Sequence, residues 1–535
     1  MNQWWKNAVI YQVYPRSFCD SNGDGLGDIP GIISKLDYLQ QLGVDAIWLS
    51  PVFRSPQDDN GYDITDYQDI DPMFGTLSDM DELIAQARKR KIRIIMDLVL
   101  SHSSDEHLWF REAKKSRQNP WHDFYIWRNG QPDNPPNDLE SAFGGSAWEW
   151  VPEVEQFYFH RFSKKQPDLN WENPKMRQSL YAMIRWWADR GIGGFRLDVV
   201  DLFGKIPDQK ILENGPKLHE YIREMRREAF TAPDLVTVGE AWSATPAIAR
   251  QYSAPDGSEL SMVFQFEHLV LDQQPGGEKW NLAPLPLGQL KQVICRWQQE
   301  LAGTGWNSLF LENHDLPRIV SRWGNDGEYR EASAKMLASL LFGLQGTPYI
   351  YQGQELGMTN VCYPLEEYRD IETLGMYRKY KALGWPEEKI LRSIHARSRD
   401  NARTPMQWTD SENAGFTTGT PWMPLNPNYH EINAEQALAD PDSVFHYYRR
   451  LIHLRKTTPV IRHGDFTLLD ADNEKVFSYV RRDDEHELLV VCNFTGETLA
   501  YPVPAEFGEA EMMLCNDDCH HDGTLKPYEA FMLIK

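Results

Sequence analysis

The run Gly193-Gly194-Phe195-Arg196-Leu197-Asp198-Val199-Val200 is apolar apart from one arginine and one aspartate two residues on. Side chains two apart on a strand share a face, so Arg196 and Asp198 are expected side by side. Opposite charges in a buried strand make sense where they face a site at its end. The arginine is expected to keep the aspartate ionised, as a carboxylate nucleophile requires. Taken alone, the pair reads equally well as a structural ion pair. Similar groups recur at the ends of other apolar runs: Asp97 with His102, then Glu240, then His314 with Asp315. Carboxylates converging with histidines and an arginine suit glycoside hydrolysis, in which one carboxylate attacks the anomeric carbon and another acid protonates the departing oxygen. A divalent-metal site is the competing reading, and a guanidinium beside the central aspartate opposes a cation there.

The elements that must position these residues are apolar, β-branched runs: Val9–Pro15, Val44–Pro51, Ile92–Leu100, Gly193–Val200, Leu235–Ala241, Ser261–Glu267, Ser308–Asp315 and Thr347–Glu355. Helical patterns lie between them, among them Asp79–Lys89, Met176–Arg190 and Tyr329–Leu344. Near-continuous apolar strands alternating with helices predict an α/β protein with a parallel sheet, and eight of them predict a (β/α)8 TIM barrel. In such a barrel the charged residues named above fall at the C-terminal strand ends, where barrel active sites lie. Residues 103–169, rich in Asn, Pro, Trp and Gly, predict a small loop-rich domain inserted after strand 3. A second insertion, 356–440, follows strand 8, and the helix Val444–Lys456 closes the barrel, which thus comprises 1–102 and 170–460. From 461 the pattern turns to short strands such as Val476–Arg481 and Glu487–Phe494, predicting a C-terminal all-β domain, 461–535, of β-sandwich type.

The 55 basic and 78 acidic residues leave a net charge of −23, which argues against nucleic acid and anionic membranes as partners. Substrates should be neutral, or be held by a local patch that opposes the overall field. The 19 tryptophans supply faces that suit sugar rings, although cores consume tryptophan too. The start, Met1-Asn2-Gln3-Trp4-Trp5-Lys6, lacks a basic stretch followed by an apolar one, and no apolar run is long enough to span a bilayer. A cytoplasmic location is expected. The six cysteines show no framework spacing, as expected of reduced thiols, and Cys515-x-x-x-Cys519-His520-His521 lacks a second ligand pair and reads as a polar turn.

The motifs Asp97-Leu98-Val99-Leu100-Ser101-His102, Gly194-Phe195-Arg196-Leu197-Asp198, Val238-Gly239-Glu240, Glu312-Asn313-His314-Asp315 and Gln166-Pro167-Asp168-Leu169-Asn170-Trp171 together resemble the α-amylase family of glycoside hydrolases, family 13. The resemblance covers essentially the whole chain. It implies Asp198 as nucleophile, Glu240 as general acid/base and Asp315 as the carboxylate that fixes the distorted sugar, with Arg196, His102 and His314 lining the same subsite. It also implies retention of anomeric configuration through a glycosyl-enzyme intermediate.

Within the family the chain is most similar to oligo-1,6-glucosidases and dextran glucosidases, through Asp58-Asp59-Asn60-Gly61-Tyr62-Asp63 and Arg399-Asp400-Asn401-Ala402-Arg403-Thr404-Pro405. The resemblance makes Asp59, Tyr62 and Arg399 substrate-binding residues, with Asp59 and Arg399 closing the pocket for exo action. Val199 stands where α-1,6-specific members carry valine. Ser101 and Leu316 depart from the family pattern without removing a catalytic group.

The stretch Asp20-Ser21-Asn22-Gly23-Asp24-Gly25-Leu26-Gly27-Asp28 resembles the front of a calcium loop, although Gly31 stands where a bidentate glutamate would complete it. In related glucosidases this loop holds a structural Ca2+ through Asp20, Asn22, Asp24, the Leu26 carbonyl and Asp28. An Asx-rich turn satisfied by its own backbone is the alternative. No organic cofactor is implied. The expected protein is a retaining, exo-acting α-glucosidase, monomeric, that hydrolyses α-1,6 bonds at the non-reducing end of isomaltose-type oligosaccharides. Rivals within the family are a trehalose-6-phosphate hydrolase, which would need a basic patch on the acceptor side, and a sucrose isomerase or a trehalulose- or isomaltulose-hydrolysing member. A non-enzymatic binding relative should lack the catalytic carboxylates, which this chain keeps.

Overall fold

The computed structural model describes residues 3–517 and 523–535. Its centre is a parallel sheet of β1 (Ile10–Val13), β2 (Ala46–Leu49), β3 (Arg93–Leu98), β4 (Gly194–Leu197), β5 (Val236–Glu240), β6 (Met262–Phe264), β7 (Ser308–Leu309) and β8 (Thr347–Tyr351). The spatial order is β6-β5-β4-β3-β2-β1-β8-β7, and a parallel bridge between Val263 and Asn307 joins the two ends, closing the barrel. Nearly every barrel-strand residue is buried, as strands enclosed on both faces require. Trp48, Phe264 and Tyr349 fill the interior as stacked and edge-on rings.

The outer helices form where the apolar period predicts them. Leu77–Lys89 starts on a reciprocal Thr76–Asp79 cap and turns Met80, Leu83, Ile84 and Ala87 onto the barrel. Pro174–Asp189 starts with Asn173 accepting from Lys175 and Met176 N–H, and buries Leu180, Tyr181, Ile184 and Trp187. Arg330–Phe342 has no polar face to speak of, because the barrel covers one side and the C-terminal sheet the other; Tyr479 Oη reaches across to the Leu340 carbonyl at 2.8 Å.

Residues 103–169 carry a three-stranded antiparallel sheet, Trp127–Asn129, Gln156–Phe159 and Trp148–Val151, over a small core of Ile126, Ala147, Trp148, Phe157 and Phe159. The segment after β8 adds the helices Ile371–Ala382 and Glu387–Arg397, whose core includes Trp280 from the loop beyond β6. The last domain is one five-stranded antiparallel sheet of β9 (Asp465–Leu469), β10 (Val476–Arg482), β11 (Glu487–Asn493), β12 (Glu511–Cys515) and β13 (Ala530–Ile534). One face is covered by a two-stranded ribbon, Leu499–Ala500 with Thr524–Leu525, and the other by the helix Arg330–Phe342. Four cysteines, 19, 295, 362 and 492, are free, whereas Cys515 is disulfide-bonded, which corrects the expectation of reduced thiols throughout. The remainder of the Cys515-to-His521 motif lies outside the described residues.

Candidate active site

Arg196 is 1 % exposed, and three carboxylates meet on its guanidinium. Nη1 donates to Asp97 Oδ1 and Asp198 Oδ1, each at 2.7 Å, and Nη2 donates to Glu240 Oε2 at 2.5 Å. Register explains the meeting: Asp97 on β3 lies beside Arg196 on β4, and Arg196 lies beside Val238, two residues before Glu240 on β5. Residues remote in sequence are thus gathered at adjacent C-terminal strand ends, as predicted. One guanidinium thus holds Asp198 and Glu240 through its two terminal nitrogens.

Immediately after Asp198 the chain turns sharply. Val199 adopts φ 37°, ψ 51°, a left-handed conformation that a β-branched residue takes only where its surroundings enforce it, at a cost of about 1–3 kcal/mol. The turn aims the Val199 N–H at Glu240 Oε2, 3.2 Å away. Glu240 Oε1 accepts from Trp242 Nε1 at 2.8 Å, so each oxygen of this carboxyl has its own donor.

The charge balance is wider than the pair seen in the sequence. Burial raises Asp198 well above the ordinary carboxylate range; Arg196 opposes this, but Glu240 and Asp97 add to it. Asp97 rises to about 6, again through burial first. The sequence pattern pairs one arginine with one aspartate, whereas the fold sets one cation among three carboxylates. Burial and the neighbouring carboxylates oppose ionisation of Asp97 and Asp198, and Arg196 favours it.

A second cluster faces the first. Asp315 Oδ1 accepts from Arg399 Nη1 at 3.2 Å and from Arg403 Nη2 at 2.8 Å. Burial works against ionisation of Asp315, but His314, Arg399 and Arg403 hold its carboxyl far below the usual range. Arg399 also donates through Nη2 to Asp370 Oδ1 at 2.6 Å and to Asp59 Oδ1 at 3.3 Å. Asp370 is held low by these arginines against its own burial, while Asp59, more distant from the charge, is pushed up by burial to about 7. Asp59 and Arg399 therefore meet across the pocket end, from the loops after β2 and β8.

Tyr62 and His314 connect the clusters. The rings stack with centroids 5.3 Å apart; Tyr62 Oη donates to Asp97 Oδ2 at 3.0 Å and lies 2.7 Å from His314 Nε2. Gln12 Nε2 donates to His314 Nδ1 at 2.8 Å, which leaves the proton on Nε2, facing Tyr62 and Asp315. Burial lowers His314 to about 3 and His102 to about 4, so both are neutral at pH 7. His102 Nε2 is held near the Tyr62 carbonyl at 2.9 Å, and its buried Nδ1 has no partner among the described residues.

The structure also brings in residues that the sequence patterns did not single out. Arg403 follows Arg399 by one helical turn and shares Asp315 with it. Gln166 Nε2 bonds Asp59 Oδ2 at 3.2 Å. Trp242, 45 % exposed, lies flat on Phe266 with centroids 3.8 Å apart, presenting an indole face beside Glu240. Lys279 Nζ donates to Glu372 Oε2 at 2.5 Å, and Glu372 lies 3.5 Å from Arg399 Nε. Arg403 and Gln166 lie within the motifs quoted above without having been assigned a role, and Trp242, two residues beyond Glu240, is indistinguishable from a core tryptophan without the fold.

The Asp20–Asp28 loop lies between β1 and the helix Ile29–Ser34, with Gly23 and Gly25 at φ +83° and +91°. Asp20 accepts from Asn22, Gly23 and Gly25 N–H and from the Thr417 hydroxyl. Asp28 Oδ1 caps the helix through Gly31 N–H, and its Oδ2 accepts from Ser21. Asn22 Oδ1 and Asp24 Oδ1 each accept from the main chain two residues on, as in Asx turns. Asp24 Oδ2 and the Leu26 carbonyl retain acceptor capacity. Among the described residues no group of three or more His, Cys, Asp or Glu side chains converges as a metal set.

Residues 12–464 match the alpha amylase catalytic domain, and residues 467–529 match the alpha amylase C-terminal all-beta domain. The chain belongs to the α-amylase family. Among curated members it is 58 % identical over 498 residues to the glucan 1,6-alpha-glucosidase of Streptococcus pneumoniae serotype 4, covering 92 % of each chain. It is 51 % identical over 551 residues to the oligo-1,6-glucosidase of Parageobacillus thermoglucosidasius, covering 98 % of each. Among solved structures, that of Bacillus licheniformis trehalose-6-phosphate hydrolase superposes with a TM-score of 0.95 at 47 % identity, covering 100 % of both chains. This family member is thus a glycoside hydrolase of the oligo-1,6-glucosidase type, with the (β/α)8 barrel and the C-terminal β domain of its relatives.

Proposed function

We propose that the protein is a retaining, exo-acting α-glucosidase that removes glucose from the non-reducing end of α-1,6-linked oligosaccharides such as isomaltose. The observation that supports this is the Arg399 clasp, which ties Asp59 to Asp315 beside the Arg196 cluster; a charged clasp of this kind would close the site to all but a terminal glucose. Asp198 attacks the anomeric carbon, and Glu240 gives its proton to the leaving oxygen and later takes one from water. Asp315, kept ionised, accepts hydroxyl hydrogen bonds that strengthen as the ring distorts. His102 Nδ1 and neutral His314 serve the same sugar. The exposed face of Trp242 carries the leaving sugar, and its indole N–H keeps Glu240 turned toward the bond to be broken.

A trehalose-6-phosphate hydrolase is the second reading, favoured by the likeness to the Bacillus licheniformis enzyme. Against it, Lys279 is already paired with Glu372 and brings no uncompensated cation for a phosphate. One panel decides: isomaltose, panose, maltose, isomaltulose, sucrose and trehalose 6-phosphate, with NMR of the first anomer released. Isomaltose and panose should be the best substrates, releasing α-glucose. Turnover of trehalose 6-phosphate without isomaltose would reverse the assignment, and early β-glucose would exclude retention.

A structural Ca2+ belongs to the same proposal. Asp20, Asn22, Asp24, the Leu26 carbonyl and Asp28 would hold it; the spacing of these oxygen-bearing residues along one tight loop supports the reading, and the hydrogen bonds that Asp20, Asn22 and Asp28 already accept from the protein run against it. It would stabilise the loop and take no part in the reaction. A higher Tm in millimolar Ca2+ than in chelator, lost on Asp24→Asn, is the expected result. The protein would act as a cytoplasmic monomer: the site is complete within one chain, and no helix among the described residues is long and apolar enough to cross a membrane. Trapping thiols by alkylation during lysis tests the location, because the Cys515 disulfide is the observation that runs against it.

A further inference from the structure

The face of the barrel opposite the catalytic mouth carries a cleft of about 450 Å3, between the leads into β3, β4 and β5. That volume lies within the range of small-molecule sites, roughly 300–1,000 Å3. Arg88, Lys91 and Arg93 line it, with Asp234 the one acidic side chain on its wall. Among the described residues none of the three cations forms an ion pair, whereas their neighbours Arg90 and Arg190 are bonded to Asp37 and Asp81. Three cations against one carboxylate is a local excess of positive charge in a chain of net charge −23. Self-repulsion within such a group is relieved by a bound anion.

Arg88 and Lys91 are exposed at the cleft rim, and Arg93 is half-buried. The Lys91 N–H bonds the Arg88 carbonyl at 3.0 Å, so both side chains leave one tight turn at the end of the helix Leu77–Lys89. A helix C-terminus favours a cation at Arg88, but Lys91 and Arg93 lie beyond the helix and gain little from it. The Arg93 guanidinium stacks over the Trp4 ring at 4.4 Å, and Trp4 is tied across the cleft by its indole N–H to the Asp234 carbonyl at 2.9 Å. Gly191, at φ +100°, leaves room for Arg88: a Cβ there would fall 2.4 Å from Arg88 Nη2. The floor is apolar, with Ile84, Ile94 and Leu235.

We propose that this cleft is an anion site that binds a phosphate group, either free phosphate or the phosphate of a small ester whose carbon skeleton lies on the apolar floor. Guanidinium forks match phosphate oxygens, and Lys91 adds a point charge beside them. The site is separate from the catalytic pocket, so occupancy leaves the chemistry untouched and stabilises the fold by mass action.

The test is calorimetric titration of the full-length protein with inorganic phosphate and, separately, with glucose 6-phosphate, at low salt and with excess glucose filling the catalytic pocket. At least one should bind with a Kd below about 1 mM, weaken as salt is added, and weaken at least tenfold in Arg88→Ser/Lys91→Ser. That variant should keep its kcat/KM on isomaltose within about twofold of the parent. Equal binding of both probes assigns the site to free phosphate, and tighter binding of the ester assigns the floor to its sugar. Absence of binding by both, or equal affinity in parent and variant, overturns the proposal. If the double variant loses activity through misfolding, Lys91→Ser alone carries the test, with a threefold loss expected.

Discussion

Two buried arginine clusters, linked through Tyr62 and His314, differ in how many guanidiniums serve their carboxylates. At Arg196 a single guanidinium serves Asp97, Asp198 and Glu240; at the opposite end Arg399 and Arg403 together serve Asp315, Asp370 and Asp59. In the first, burial and the neighbouring carboxylates raise Asp198 against the pull of Arg196, and Asp97 reaches about 6, again through burial first. In the second, added cation holds Asp315 and Asp370 low in spite of burial. The ratio of cations to carboxylates thus separates a region that can exchange protons from one that keeps fixed charge. The Arg196 end suits bond cleavage and the Arg399 end suits holding a sugar. Asp59, at the weak edge of the second cluster and raised to about 7, marks where that excess of cation runs out.

Removing the nucleophile should break the comparison most severely. Asp198→Asn abolishes the covalent route, and kcat for isomaltose should fall by about 10⁴ or more, with the protein still folded because Arg196 keeps two carboxylates. Undiminished turnover would show that the proton-exchanging cluster is not the reacting one. Glu240→Gln should cost about 10²- to 10⁴-fold on isomaltose, since proton donation is worth that much. On a substrate whose leaving group needs no proton, such as p-nitrophenyl α-glucoside, the loss of the first step should be much smaller. An equal loss on both substrates would assign Glu240 to charge balance alone.

At the other cluster the expected loss is smaller and of a different kind. Arg399→Met removes the clasp between Asp59, Asp315 and Asp370 but leaves Arg403 on Asp315. A charged hydrogen bond to the sugar and to its carboxylates is worth about 1.5–3 kcal/mol, so kcat/KM should fall roughly 10- to 150-fold, mostly through KM. A change in kcat alone, or a shift of the pH–rate profile as large as that in Glu240→Gln, would mean that the two clusters share one proton balance and the distinction fails.

How far this could be read from sequence follows the same division. The eight strands were legible because enclosed parallel strands are near-continuous apolar runs, and Arg196, Asp198 and Glu240 stood out as charges at their ends. Asp59 and Arg399 were legible only through the resemblance of their loops. The proton balance at Asp198 was not, because it depends on Asp97 and Glu240 arriving from neighbouring strands through register, which no local pattern carries. Likewise Lys279 and Glu372 pair across 93 residues with no periodicity linking them. The β10 strand, buried from Val476 to Arg481, announced that both its faces are covered. It did not say that a helix, rather than a second full sheet, covers one of them.

The series has a further member with no cation in direct contact. Glu355, fully buried after β8, accepts from Tyr11 and Tyr38 hydroxyls at 2.7 Å each and from Gly353 N–H at 3.0 Å. Burial, only partly offset by these donors and by the more distant Arg318, raises it to about 6 from an ordinary 4.5. Between those two values the folded protein binds more protons here than the unfolded chain, so stability falls as pH rises through the window and the loss is complete above it. The effect is on the order of 1–2 kcal/mol. Glu355→Gln cannot titrate and should show a flatter fall in Tm from pH 4.5 to about 6, compared at one scan rate because a chain of this size unfolds irreversibly. Asp97, Asp63 and Asp201, each also raised to about 6, and Asp59, raised to about 7, contribute to the slope that remains. An identical slope in the variant would mean that two tyrosine hydroxyls ionise a buried carboxyl as well as a guanidinium does, and the ratio of cations to carboxylates would lose its force as the rule distinguishing the two clusters.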